Sequence, residues 1–128
     1  MEKLPLISVI DDDEAMCAAV ESLVRSLGFD VRTFASAREF LLSPDRRDTA
    51  CVISDVQMPD MGGIELQQHL VAEGDTTPIV FMTGLVNERI RAQAMQAGAV
   101  SILFKPFTAT ALIDGLQQAL GKRMPTVH

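Results

Sequence analysis

The chain has 128 residues, 48% of them hydrophobic, and a formal net charge of −6. That length suits one domain with a sizeable core, and the acidity argues against a direct, non-specific grip on nucleic acid. No charge-free apolar stretch approaches the roughly 18 residues of a membrane span, and the opening MEKLPLIS lacks a signal-peptide core, so cytoplasmic residence is expected. Cys17 and Cys51 show neither metal-site nor disulfide-framework spacing and read as small core hydrophobes. His69 and His128 lie far from both in sequence, and the lack of Trp and Tyr removes the usual base-stacking platforms.

In chain order, strand-like and helix-like patterns alternate five times. Residues 6–10 (LISVI) form a short β-branched run that stops at three aspartates. Apolar positions at Met16, Val20, Leu23, Val24 and Leu27 then recur at helical spacing over 14–27, with Gly28 placed to end the helix. Residues 30–34 (DVRTF) predict a second strand, more polar and therefore at a sheet edge. Ser36 is placed to cap a short helix through Leu42, and SPDRRD reads as a polar loop whose Arg46–Arg47 pair is solvated. A third strand is predicted at 50–54 (ACVIS), followed by the turn-rich DVQMPDMGG and a helix over about 64–73. The fourth strand is 78–82 (PIVFM), and an alanine-rich helix spans about 88–97, ending at Gly98. The fifth strand is 100–104 (VSILF), and Leu112, Ile113, Leu116 and Leu120 stripe the last helix. The alternation predicts an α/β fold: a doubly wound, five-stranded parallel sheet of order 2-1-3-4-5 with helices on both faces.

In such sheets ligands gather beyond the carboxyl ends of the strands, where the strand order reverses. Here the reversal falls between strands one and three. Asp11, Asp12 and Asp13 follow strand one and Asp55 follows strand three, so at least three carboxylates share one crevice. At about 4 Å and an effective dielectric near 20, each like-charged pair costs roughly 4 kcal/mol, which protons or a cation must relieve. Oxygen ligands of this kind suit Mg2+. Asp13 is also placed to cap the following helix. Thr83 and Lys105 follow strands four and five and reach the same rim. Acids for a metal, a carboxylate nucleophile and a cation for developing charge are the equipment for phosphoryl transfer to an aspartate.

The stretches VIDDDEAM, VISDVQMPDMGGIEL, VFMTG and AMQAGAVSILFKPF resemble the response-regulator receiver domain, the flavodoxin/CheY-like (βα)5 fold, and within it the FixJ-like regulators. The resemblance covers residues 5–120. It implies that Asp55 accepts a phosphoryl group from a phosphohistidine on a sensor histidine kinase. It further implies that Asp12 binds Mg2+ directly and Asp11 through water, with Asp55 and the Gln57 backbone carbonyl completing the protein's share. Lys105 would pair with the phosphoryl oxygens, the Lys105–Pro106 bond would be cis, and Thr83 would bind the phosphoryl oxygen and move with it. No enzyme activity beyond self-phosphorylation and self-hydrolysis is implied. The receiver domain is taken as residues 1–120. Residues 121–128 are taken as a tail, or as the start of a linker to a helix-turn-helix output domain that would control transcription.

Two segments depart from the family pattern. Ile102 stands where receivers often carry Tyr or Phe, and the nearest aromatic, Phe104, is expected on the opposite face of the strand. Leu85 and Val86 replace a polar turn and are expected to join the output surface or a homodimer contact formed on phosphorylation. The alternative is a receiver-like interaction domain that no longer uses phosphate. A haloacid-dehalogenase-type phosphatase would need an aspartate where Gln57 stands, and a flavin module would need a phosphate loop where DDDE stands.

Overall fold

A computed structural model describes residues 4–85 and 87–121. Five parallel strands, β1 (Leu6–Ile10), β2 (Asp30–Phe34), β3 (Thr49–Asp55), β4 (Ile79–Thr83) and β5 (Ser101–Phe104), form one sheet in the order β2-β1-β3-β4-β5. The helices between and after them are α1 (Glu14–Ser26), α2 (Ala37–Leu42), α3 (Gly63–Ala72), α4 (Glu88–Gln96) and α5 (Ala109–Leu120). Each predicted element is present, with ends shifted by a few residues. β2 lies at an edge, as its polar composition required, because an edge strand leaves one side to solvent.

The period-two alternation of the strands divides the core. Ile7, Val9, Cys51, Ile53, Val80 and Met82 pack with α1 and α5 on one side of the sheet. Ile10, Val52, Ile79 and Phe81 pack with α2, α3 and α4 on the other. Both cysteines are buried and free, as expected of small core residues. The central strands β1, β3 and β4 are buried at every position. Within that apolar layer Ser8 and Thr49 share a hydrogen bond of 2.7 Å, so neither buried hydroxyl is left without a partner.

The helix ends follow the local chemistry. Asp13 caps α1 by accepting from the amides of Ala15 and Met16, and Ser36 caps α2 by accepting from the Glu39 amide. Gly28 has φ +96°, a left-handed turn that follows α1. α4 is anchored differently from its neighbours, because its one buried residue is Ala94.

Three expectations are corrected. The SPDRRD segment is not a loop: Pro44–Asp48 forms a 3₁₀ turn capped by the Ser43 hydroxyl. Nor is Arg46 solvated, since its guanidinium pairs with Glu73 and approaches Asp75 at 3.9 Å, leaving the side chain 19% exposed. Those acids are more than twenty residues away in sequence, so no local pattern could reveal them. The third correction concerns Phe104, which lies two residues from Ile102 in β5. The strand period therefore puts both on the same face, with Leu103 pointing the other way into the α1/α5 side of the core. Val86 and residues 122–128, which include most of the expected tail, lie outside the described residues.

Candidate functional site

The carboxyl ends of β1 and β3 are adjacent because these strands pair directly, Ile10 beside Ser54. Asp11 follows β1 and Asp55 ends β3, and both point to the rim left open by the reversal of strand order. Asp11 is almost completely buried, 1% exposed, and Asp55 is 9% exposed. Asp12 is exposed. Ligand oxygens of Asp11, Asp12 and Asp55 lie within 4.8 Å of one another, so residues more than forty apart in sequence form one acidic cluster.

Each acid is held by the backbone around it. Asp11 Oδ1 accepts the Asp13 amide at 3.0 Å, and the Asp11 amide donates to the Phe34 carbonyl at 3.1 Å. The Cys17 thiol donates to the Asp11 carbonyl at 3.2 Å, a support the sequence reading did not identify. Asp55 Oδ1 accepts the Gln57 amide at 3.2 Å. The turn after β3 is tight: a Cβ on Gly63 would stand 2.5 Å from the Asp55 carbonyl oxygen and 2.9 Å from the Phe81 ring, so only glycine fits there. That approach lets Gly63 donate its amide to the Val56 carbonyl at 2.9 Å and start α3 close to the end of β3.

The counter-charge comes from β5. Lys105 Nζ donates to Asp11 Oδ2 at 3.0 Å and to Asp55 Oδ2 at 3.2 Å, bridging the two buried carboxylates. Its amide donates to the Thr83 carbonyl at 2.7 Å, tying the lysine to the end of β4. The Lys105–Pro106 bond is cis, as the resemblance implied. Burial alone would lower the lysine's pKa. The hydrogen bond to Asp11 and the charges of Asp55 and Asp11 outweigh it and hold the ammonium above its ordinary value. Burial pushes the Asp55 carboxyl above the usual carboxylate range, opposed by the Gln57 amide and the Lys105 charge and reinforced by Asp11.

The structure thus brings Asp11, Asp12, Asp55 and Lys105 together. Gln57 joins through its amide. Thr83 stands at the end of β4, 1% exposed, with its hydroxyl accepting the Leu85 amide at 3.1 Å. That last bond has no side-chain signature and was missed in the sequence. Three carboxylates against one ammonium leave an excess of negative charge on oxygen donors alone, a donor set that fits a hard divalent cation such as Mg2+.

Comparison with known proteins agrees with this fold. The model of the response regulator receiver domain matches residues 7–117. The response regulator protein TodT of Pseudomonas putida is 38% identical over 119 residues, taking in 93% of this chain and 52% of that protein. The transcriptional regulatory protein FixJ of Bradyrhizobium diazoefficiens is 39% identical over 119 residues, covering 93% of this chain and 58% of that one. The crystal structure of FixJ-N superimposes with a TM-score of 0.83 at 29% identity, covering 100% of this chain and 99% of its own. The chain spans about half the length of the curated relatives it matches.

Proposed function

Because this chain belongs to the response regulator receiver domain family, we propose that Asp55 is its phosphoacceptor and that a sensor histidine kinase is the donor. The observation that carries the reading is the Asp55 carboxylate at the end of β3, bridged by Lys105 to Asp11 and grouped with Asp12 at an oxygen-only cluster. In the reaction an Asp55 oxygen attacks phosphorus, an acyl phosphate forms, and the bond from phosphorus to the donor's histidine nitrogen breaks. The electron pair of that bond stays on the nitrogen. The backbone amide of Gln57 orients the carboxylate, and the Lys105 ammonium neutralises charge on the phosphoryl oxygens. The Thr83 hydroxyl, at the end of β4, would donate to one of those oxygens. Asp11, Asp12 and Asp55, with the Gln57 carbonyl, would hold Mg2+, which when bound offsets the charge of the transferring group. Water later hydrolyses the acyl phosphate, so the chain's chemistry is confined to itself and it is not an enzyme acting on other substrates.

The added charge would bias a two-state surface around α4 and β5. The relative FixJ is a transcriptional regulatory protein by name, and this supports transcriptional control through a following DNA-binding domain, with phosphorylation-dependent pairing of two copies, in the cytoplasm. Among the described residues no helix is long and apolar enough to cross a membrane.

Acetyl phosphate with magnesium, followed by intact-mass measurement, tests the chemistry. Wild type should gain the mass of one phosphoryl group and Asp55→Ala should gain none. An unmodified wild type, or a modified Asp55→Ala, would overturn the assignment.

A further inference from the structure

Asp11 is held at four points, and one of them is a side chain that the reaction does not use. Its amide donates to the Phe34 carbonyl, its Oδ1 accepts the Asp13 amide, and its Oδ2 accepts Lys105. The fourth point is the Cys17 thiol, which donates to the Asp11 carbonyl oxygen at 3.2 Å from the start of α1. The sulfur also stands 3.9 Å from the Phe34 carbonyl oxygen, so it lies where β1, β2 and α1 converge. Burial and the nearby Asp11 charge keep this thiol protonated at neutral pH, so it remains a donor.

The oxygen that Cys17 holds belongs to the peptide between Asp11 and Asp12. A peptide unit is planar, so fixing its carbonyl oxygen also fixes its N–H and the direction in which the chain enters Asp12. Asp12 needs that help more than its neighbours do. It is exposed, and the hydrogen bonds that hold the carboxylates on either side, at Asp11 and Asp13, do not include its own. The third acid has its own anchor, because the Ser54 hydroxyl donates to the Asp55 carbonyl at 3.0 Å. Asp12 is therefore the acid whose placement depends on the Asp11–Asp12 peptide.

We infer that Cys17 is a positioning residue for the acidic cluster: by fixing the Asp11–Asp12 peptide it keeps the Asp12 carboxylate in reach of Asp11 and Asp55. This inference rests on the reading that the cluster holds Mg2+. The thiol bond is kept with and without the cation. It acts beforehand, by raising the fraction of protein whose peptide already faces the competent way, and the apparent affinity falls with that fraction. Mg2+ demands a near-ideal octahedron, whereas Ca2+ accepts variable geometry and ligand number. A misdirected Asp12 thus penalises Mg2+ more than Ca2+.

The test titrates the full chain, under reducing conditions, with Mg2+ and separately with Ca2+ in a calorimeter. Cys17→Ala removes the donor and should bind Mg2+ about threefold more weakly than wild type, the effect of losing one weak donor, with little change for Ca2+. Cys17→Ser keeps a donor and should bind Mg2+ as wild type does. Cys17→Val fills the volume without a donor, should follow Cys17→Ala, and reads the same loss if Cys17→Ala fails to fold. Unchanged Mg2+ affinity in the variants that lack the donor, an equal loss for both cations, or a Cys17→Ser as weak as Cys17→Ala would each overturn the positioning role. A wild type that binds no Mg2+ would instead remove the metal reading, and this inference with it.

Discussion

Replacing Lys105 with Gln removes the cation that bridges two buried carboxylates. At 3.0 Å and 3.2 Å, with an effective dielectric near 20, each attraction is about 5 kcal/mol before desolvation is counted. Desolvation offsets much of that, and truncating one partner of a buried pair costs about 3 kcal/mol net, because the orphaned charge stays buried. What remains is Asp11 and Asp55 with oxygens inside 4.8 Å, repelling by about 3.5 kcal/mol on the same footing. For 128 residues the unfolding entropy near the midpoint is about 0.27 kcal/mol/K, so Lys105→Gln in a chelator should lower Tm by about 11 °C. Magnesium supplies the missing positive charge at the same oxygens and should raise the variant's Tm by more than it raises that of wild type. Thermal unfolding at neutral pH, with chelator and then with excess magnesium, reads both quantities. A variant as stable as wild type in chelator, or an equal magnesium shift in the two proteins, would refute the account of the site as a charge cluster balanced by this lysine.

Gly63→Ala should destabilise by about 2–3 kcal/mol in denaturant titration, since the new methyl meets the Asp55 carbonyl and the fully buried Phe81 ring, neither free to move away. Gly115→Ala in α5 should lose nothing and gain up to about 0.5 kcal/mol, because its Cβ would rest 3.4 Å from Val80 and a helix-interior glycine would be removed. Burial, with the nearby Asp11 charge, pushes the Cys17 thiol up to about 11, and burial pushes Cys51 up to about 12. Native protein at pH 8 should therefore resist alkylation by iodoacetamide, and unfolded protein should react at both thiols. The Arg46 hydrogen bond holds Glu73 below its ordinary 4.5. At Asp75, burial pulls upward, but Thr77 and Arg46 together hold the carboxyl below its ordinary 3.8. For depressed carboxylates the unfolded chain binds more protons, so this stabilisation is full above about pH 5 and is lost as pH falls through the folded values. The Tm difference between wild type and Arg46→Ala should accordingly be present at neutral pH and shrink towards pH 3.

Chain-local chemistry carried most of the fold. Strands buried on both faces need largely apolar runs, and 6–10, 50–54 and 78–82 supply them, with Ser8 and Ser54 as the polar exceptions in the first two. The polar 30–34 could only be an edge. The carboxylates of the candidate site were legible for a related reason: in a parallel sheet every strand ends at the same rim, so Asp11, Asp55, Thr83 and Lys105 acquire a common address once the strand order is known. Asp13 and Ser36 announced their caps by residue type and position alone.

Other features depend on which side chains meet across the fold, and sequence spacing carries no trace of them. Arg46 reads as a surface charge until the end of α3 brings Glu73 to it. Thr49 and Ser8 are ordinary hydroxyls until β1 and β3 pair and bury them together. Lys105 could have faced either carboxylate, and the packed sheet lets one ammonium reach both. The Leu85 amide is invisible in any residue pattern, because every residue but proline has one and only the path of the chain decides what it meets. The amino-acid sequence determined which strands and helices form and which polar groups arrive at the rim, since propensity, capping and period act within a few residues. The tertiary structure alone decided the distances among those groups, and with them the charge balance and the hydrogen-bond partners, because Coulomb and hydrogen-bond energies depend on separation in space rather than along the chain.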